Sequence, residues 1–273
     1  MKSIVITGSS SGIGKATAKH FAAAGWRVAA TMRKPEKETE LNQIENISVY
    51  ALDVTSDQSV ASAAAQILAD FGRVDVVLNN AGYGLIGPFE MASTEQIKRQ
   101  FDTNVFGLMS VTRAFLPHFR ANKAGMFLNV SSIGGRITFP VMSLYHSTKW
   151  AVEGLSESMS YELAELGITV KIIEPGGVST NFSGSSLDMA IDPEMADYMP
   201  TVGAVQKYFT QGGSGGGSTA EQIAAGIYEA TTDGKKQLRY LLGEDAKQMY
   251  AMRQQVGDDQ FIAGMTERML KSG

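Results

Sequence analysis

The sequence predicts an α/β fold: a doubly wound parallel sheet of about seven strands with helices on both faces. Three observations carry that expectation. Short runs rich in Val and Ile alternate along the chain with longer stretches of helical period, which gives strand–helix–strand units. The first run breaks into glycines before its helix, and later runs end in small or polar residues. No internal repeat divides the 273 residues, and 44% hydrophobic content is enough for a sizeable core.

Ser3 to Thr7 is the first strand, and it enters Thr7-Gly8-Ser9-Ser10-Ser11-Gly12-Ile13-Gly14 before an Ala-rich helix over Lys15 to Ala24. Glycines let the backbone turn tightly and approach a ligand, and a helix N-terminus offers free N–H groups to a pyrophosphate. Arg27 to Thr31 is the second strand, followed by Met32-Arg33-Lys34-Pro35. At this distance, about 20 residues past the glycines, a carboxylate suits the ribose 2′-hydroxyl of NAD and an arginine suits a 2′-phosphate. Arg33 therefore favours NADP(H), with NAD(H) as the alternative. The plainer reading of Arg33 and Lys34 is two solvated loop charges.

Ile47 to Leu52 is a third strand ending at Asp53-Val54-Thr55-Ser56, where Thr55 or Ser56 caps a helix over Asp57 to Phe71. Val74 to Leu78 is a fourth, running into Asn79-Asn80-Ala81-Gly82. Ser93 or Thr94 starts a helix that reaches Phe101, and Asn104 falls inside the helical sequence leading towards Arg120, where an asparagine has poor propensity. Gly125 to Val130 delivers Ser131 and Ser132 at its carboxyl end. Either hydroxyl there can orient a carbonyl and stabilise charge developing on its oxygen.

The stretch Ser143 to Trp150 opens a helix that carries Tyr145 and Lys149 four residues apart, so both project from one face. A tyrosine with an ordinary pKa near about 10 is a poor acid or base at neutral pH, and a lysine cation one turn away lowers that value. The pair can then move a proton. Such pairs also occur on ordinary amphipathic helices. Ile168 to Glu174 is the sixth strand, closed by Pro175-Gly176-Gly177-Val178-Ser179-Thr180, and Gln237 to Leu242 is a final edge strand.

Residues 181–217 mix Met189, Met195, Tyr198, Met199, Tyr208 and Phe209 with polar stretches and end in a Gly/Ser-rich run. They are expected to form a lid or mobile loop over an apolar pocket, or else simple helix packing. A capped helix starts near Ser218 to Glu221, and a helical, Met-rich extension covers 244–273. The whole chain, 1–273, is expected to be one domain.

In order and at matching intervals, Thr7-Gly8 with Gly12 and Gly14, Asp53, Asn79 to Gly82, Asn104, Ser132, Tyr145 with Lys149, and Pro175-Gly176 resemble the short-chain dehydrogenase/reductase family in its single-domain Rossmann form. The resemblance implies an oxidoreductase that interconverts an alcohol and a carbonyl by hydride transfer with NADP(H) or NAD(H). The implied catalytic set is Asn104, Ser132, Tyr145 and Lys149. Asn104 would hold a water next to the lysine, Ser132 would bond the substrate oxygen, and Tyr145 would be the acid or base. Lys149 would lower the tyrosine pKa and bond the nicotinamide ribose.

The implied cofactor set is Gly8, Ser10, Ser11, Gly12, Ile13, Gly14, Arg33, Asp53, Val54, Asn80, Ala81, Gly82, Tyr145, Lys149, Pro175, Gly176, Val178 and Thr180, with Asp53 at the adenine and Thr180 at the nicotinamide carboxamide. The helical extension departs from the family's usual ending; it would either cover the substrate site or mediate association, which leaves a homo-oligomer open. A non-catalytic NADP(H)-binding regulator on the same fold is the alternative function.

The formal charge of −4 is dispersed, with no basic stripe for nucleic acid. Cysteine is absent, which removes disulfides, thiolate metal sites and a cysteine nucleophile. His20, His118 and His146 lack ligand spacing, so no metal is expected, and they read as surface or helix-end residues. No window reaches a membrane span and the N-terminal apolar run is short for a signal peptide, so a cytoplasmic protein acting on a small molecule is expected.

Overall fold

The computed structural model describes residues 1–179, 187–210 and 217–271. The chain opens with β1 (Ser3–Thr7), α1 (Gly12–Ala23), β2 (Arg27–Met32), β3 (Ile47–Ala51), α2 (Asp57–Phe71), β4 (Val76–Asn79) and β5 (Gly84–Ile86). It continues through α3 (Thr94–Phe101), α4 (Gly107–Asn122), β6 (Gly125–Val130), α5 (Ser143–Ala164), β7 (Ile168–Pro175) and β8 (Val178–Ser179). The last part holds β9 (Leu187–Met189), α6 (Met199–Thr210), β10 (Ser218–Thr219), α7 (Ala220–Thr232), β11 (Arg239–Leu242), α8 (Glu244–Val256) and α9 (Asp258–Thr266).

Seven of the strands form one sheet in the order β11-β7-β6-β4-β1-β2-β3, and every pairing in it is parallel. Parallel neighbours need a crossover between them, and the helices of the expected alternation supply it. Successive strand residues face opposite sides. Ile4 and Ile6 pack with Phe21 of α1 and Ile223 and Ile227 of α7. Val5 and Phe127 pack on the other face with Ile67 of α2, Phe115 and Phe119 of α4 and Leu163 of α5. The Phe119 and Phe127 rings meet at 4.9 Å, and each buried phenylalanine contributes about 1.5–3 kcal/mol by leaving water. This is the doubly wound, Rossmann-like architecture that the sequence predicts.

The sheet also fixes where a ligand can sit. From β1 the chain moves outward to β3, then returns to β4 on the other side of β1 and moves outward again. The strand order reverses between β1 and β4, and the loops at their carboxyl ends part there to leave a crevice.

Some boundaries differ from expectation for local reasons. The fourth strand starts at Val76, because the Val74 N–H donates to His118 Nε2 (3.2 Å) and the Asp75 N–H to Ser3 Oγ (3.2 Å). Of the two candidate caps, Ser56 holds α2 by accepting from the Ser59 N–H. The helical sequence through Asn104 contains a single π turn, Asp102–Phe106, between α3 and α4. Gly257, at φ 80°, breaks the described part of the tail into α8 and α9, and a π turn over Glu267–Lys271 continues α9.

Two short parallel pairs, β5 with β9 and β8 with β10, were not legible in the sequence. Of the expected lid, 187–210 is described, whereas 181–186 and most of the Gly/Ser-rich run lie outside the described residues.

Candidate active site

The crevice is a cavity of about 1150 Å³ that extends from the glycine turn to α5 and α6. Its wall includes Gly8, Ser10, Ser11, Gly12, Ile13, Arg33, Asp53, Val54, Asn80, Ala81 and Gly82, and, further along, Ser132, Tyr145, Lys149, Pro175, Gly176 and Val178. These are the sequence-predicted residues with three exceptions. Gly14 and Asn104 lie behind the wall, and Thr180 falls outside the described residues.

Gly14 acts by close packing. A Cβ there would stand 2.3 Å from the Gly8 carbonyl oxygen, so only glycine lets α1 close on the turn. Thr7 Oγ1 accepts from the Asn80 and Ala81 N–H groups at 3.0 Å each, and the Asn80 amide donates back to the Thr7 carbonyl at 2.8 Å. The two loops that frame the crevice are therefore locked to each other. Ser11 is the N-cap of α1 and its side chain makes no cap bond, which leaves the amides of that helix start available to an anion. Arg33 is exposed at the cavity wall. The nearby Glu38 and Glu40 are paired with Lys15 and Lys19 and leave its guanidinium to a ligand.

At the other end, Ser132 Oγ accepts the Gly134 N–H at 3.0 Å, and its side chain hydrogen-bonds Tyr145. Lys149 Nζ donates to the Val130 carbonyl at 3.0 Å and lies 5.6 Å from the centroid of the Tyr145 ring. Both residues are buried, 9% and 8% exposed, yet both face the cavity.

That burial corrects one expectation. It pushes the Tyr145 phenol above its ordinary pKa, and the opposing influence is the Ser132 hydrogen bond, not Lys149. The cation one turn away suggested a lowered phenol, but desolvation, invisible in the spacing, is the largest influence and acts the other way. Burial also brings Lys149 down to about 8, opposed by the charge of Glu153 one turn further along α5. Glu153 is itself buried, with Oε2 accepting from Arg239 Nε at 2.9 Å.

Asn104 is buried behind the cavity wall. Its Oδ1 accepts the Tyr83 N–H at 3.1 Å, and its amide donates to the Tyr83 carbonyl (2.9 Å) and to Thr148 Oγ1 (3.1 Å). Both amide protons are committed, so this side chain braces the turn at Tyr83 against α5. His146 is no surface residue. It is buried beside Tyr145, Nδ1 bonding the Gly134 carbonyl at 2.9 Å while Nε2 accepts the Phe139 N–H at 3.0 Å, and burial lowers its pKa to about 4. Among the described residues no group of three or more His, Asp or Glu gathers as metal ligands.

Beyond Tyr145 the wall turns apolar. Phe139, Val141, Leu187, Val205, Phe209 and Met249 line it. The β9 stretch is fastened across this end by Arg99, which pairs with Asp188 at 2.6 Å, and by Gln96, which donates to the Met189 carbonyl at 3.2 Å. Asp245 and Met249 of α8 also line the cavity, so the helical extension contributes to this end of it, through residues that the sequence did not single out.

Sheet topology, glycine turn and crevice together define a Rossmann-like dinucleotide-binding protein. Residues 2–190 match the short chain dehydrogenase family, and the chain belongs to it. An uncharacterized oxidoreductase of Schizosaccharomyces pombe is 38% identical over 246 residues, which span 87% of this chain and 99% of that protein. The 3-ketodihydrosphingosine reductase of Bacteroides thetaiotaomicron is 37% identical over 195 residues, 71% of each chain. Among solved structures, a short-chain dehydrogenase from Streptomyces avermitilis superposes with a TM-score of 0.83 at 35% identity, over 98% of this chain and 97% of that one. ElxO with NADP bound has a TM-score of 0.73 at 29% identity, over 88% of this chain and 97% of its own. The chain is accordingly a short-chain dehydrogenase-type oxidoreductase. Among the described residues no helix is long and apolar enough to cross a membrane.

Proposed function

We propose that the protein is an NADP(H)-dependent oxidoreductase that interconverts an apolar alcohol and its carbonyl, with Tyr145 as the general acid or base. The observation that carries this reading is that one cavity joins two features. Arg33, which forms no ion pair among the described residues, lines it among the glycine-turn residues, and the Ser132, Tyr145 and Lys149 cluster lines it further along.

The residues fit a nicotinamide dinucleotide. The uncapped start of α1 with Gly8 to Ile13 would hold the pyrophosphate, Asp53 and Val54 the adenine, Arg33 the 2′-phosphate, and Pro175, Gly176 and Val178 the nicotinamide end. When bound, the nicotinamide supplies or accepts the hydride. Ser132 orients the substrate oxygen. Tyr145 gives that oxygen a proton in reduction and removes it in oxidation, and Lys149 beside it would bond the nicotinamide ribose. The apolar wall around Phe139, Val205 and Phe209 selects hydrophobic substrates and keeps water from the reacting atoms. The relative named for reducing a keto compound supports the reaction type.

The test is nicotinamide absorbance with a panel of apolar and small polar ketones, aldehydes and alcohols, run with NADPH and with NADH. Turnover of apolar members with NADPH favoured is the expected result. A preference for NADH would overturn the role of Arg33, and cofactor binding without turnover across the panel would favour a regulator.

A further inference from the structure

Asp245 stands in the first turn of α8, and its side chain reaches under the loop that closes β7. It is 6% exposed and lines the cavity. Oδ2 accepts the Gly177 N–H at 2.7 Å. Oδ1 is buried with no hydrogen-bond partner, and neither oxygen belongs to an ion pair of the described residues.

Three glycines make the room for it. A Cβ on Gly176 would lie 2.4 Å from each carboxylate oxygen, one on Gly177 3.3 Å from Oδ2, and one on Gly243 2.6 Å from Oδ1. The Gly176-Gly177 pair therefore does more than turn the chain after β7: it seats a carboxylate from another element.

A buried carboxylate with an unused acceptor oxygen and no cation is unfavourable by itself. The cost is offset when something brings a donor and a positive charge together. Under the proposed cofactor reading, Pro175 to Val178 flank the nicotinamide end, and the oxidised ring carries both: an amide N–H on its carboxamide and a formal positive charge. We infer that Asp245 belongs to the nicotinamide subsite, where Oδ1 accepts a carboxamide N–H and the carboxylate strengthens binding of the oxidised cofactor relative to the reduced one. Asp245 is then a specificity residue for the redox state of the cofactor, supplied by the helical extension and not by the glycine-rich first half of the chain.

Equilibrium binding tests this without turnover. The probes are NADP⁺, NADPH and the NADP⁺ analogue with nicotinic acid in place of nicotinamide. The wild-type protein should bind the acid analogue at least about ten-fold more weakly than NADP⁺, because two carboxylates would meet without a proton between them. Asp245→Asn keeps an acceptor for Gly177 and removes the charge. It should weaken NADP⁺ several-fold more than NADPH, which shares the carboxamide and lacks the ring charge, and bring the acid analogue close to NADP⁺.

Equal wild-type affinity for NADP⁺ and the acid analogue would overturn the inference, and this comparison requires no variant. So would an Asp245→Asn protein in which both redox forms weaken together, the signature of a residue that only shapes the loop. Failure of the wild-type protein to bind any of the dinucleotides would instead sink the cofactor reading on which the inference rests.

Discussion

Lys149 Nζ is moored to the carbonyl of Val130, the last residue of β6, at 3.0 Å. The strand thereby fixes a cation whose helix also presents Tyr145 to the crevice, and the next residue but one after Val130 supplies the hydroxyl that bonds the phenol. Rigid placement of this kind is what a proton-transfer site requires, because misplacement by about 1 Å can cost a hundred-fold in rate.

The first prediction concerns Tyr145. Replacing it with Phe leaves the buried ring volume in place and removes only the hydroxyl, so the fold and the cofactor cradle should survive. Turnover should fall by about 10²–10⁴, the usual contribution of a positioned acid or base. Affinity for NADPH, measured by fluorescence titration, should stay within about three-fold. A variant with normal turnover would show that the proton travels elsewhere.

Glu153 provides a second test. Burial holds Lys149 down to about 8, and the Glu153 carboxylate is what resists a further fall. Glu153→Gln removes that support, so Lys149 should lose its proton at a lower pH. The limb of the kcat/KM profile governed by Lys149 itself should therefore move to lower pH by roughly one unit. An unchanged profile would mean that the two groups are not electrostatically linked in the working enzyme.

How much of this could be seen beforehand follows from which residues act locally. The sheet, its helices and the cofactor-facing part of the crevice wall were legible, because Gly8 to Gly14, Asn80 to Gly82 and the Tyr145 and Lys149 spacing are short-range patterns that force backbone geometry. Burial was not legible. It raises the Tyr145 pKa, lowers that of His146 and makes Asn104 a brace for Tyr83, and each effect arises from elements distant in sequence. Asp245 was invisible for the same reason, since nothing near Glu244 hints at a glycine pair about seventy residues earlier.

Arg33 gives a third prediction. It is exposed and paired with no carboxylate among the described residues, so Arg33→Ala should change the melting temperature little. If it binds the 2′-phosphate, KM for NADPH should rise at least ten-fold while KM for NADH stays nearly constant. Equal changes for the two cofactors would assign Arg33 a general electrostatic role, with no part in reading the phosphate.

The last prediction is the behaviour of His146 in acid. Its folded pKa is about 4, lowered by burial, against 6.5 for the free side chain. Between these values the unfolded chain binds a proton that the folded one refuses, so stability falls as pH drops from about 6.5 towards 4. The loss approaches about 3 kcal/mol at the acid end. Glu174 acts with the opposite sign: burial and Glu153 raise its pKa to about 7, so its contribution improves as pH falls through that value towards 4.5. Wild-type melting temperatures alone would therefore mix the two effects. Comparison with His146→Gln separates them, because the variant keeps Glu174 and loses the imidazole titration. At pH 7 the variant should be less stable by about 1–3 kcal/mol, since the Gly134 carbonyl and Phe139 N–H lose their bridge. At pH 5 that gap should narrow, because only the wild-type protein still has a buried imidazole resisting protonation. A gap that stays constant between pH 7 and pH 5 would show that His146 does not titrate differently in the folded and unfolded chains.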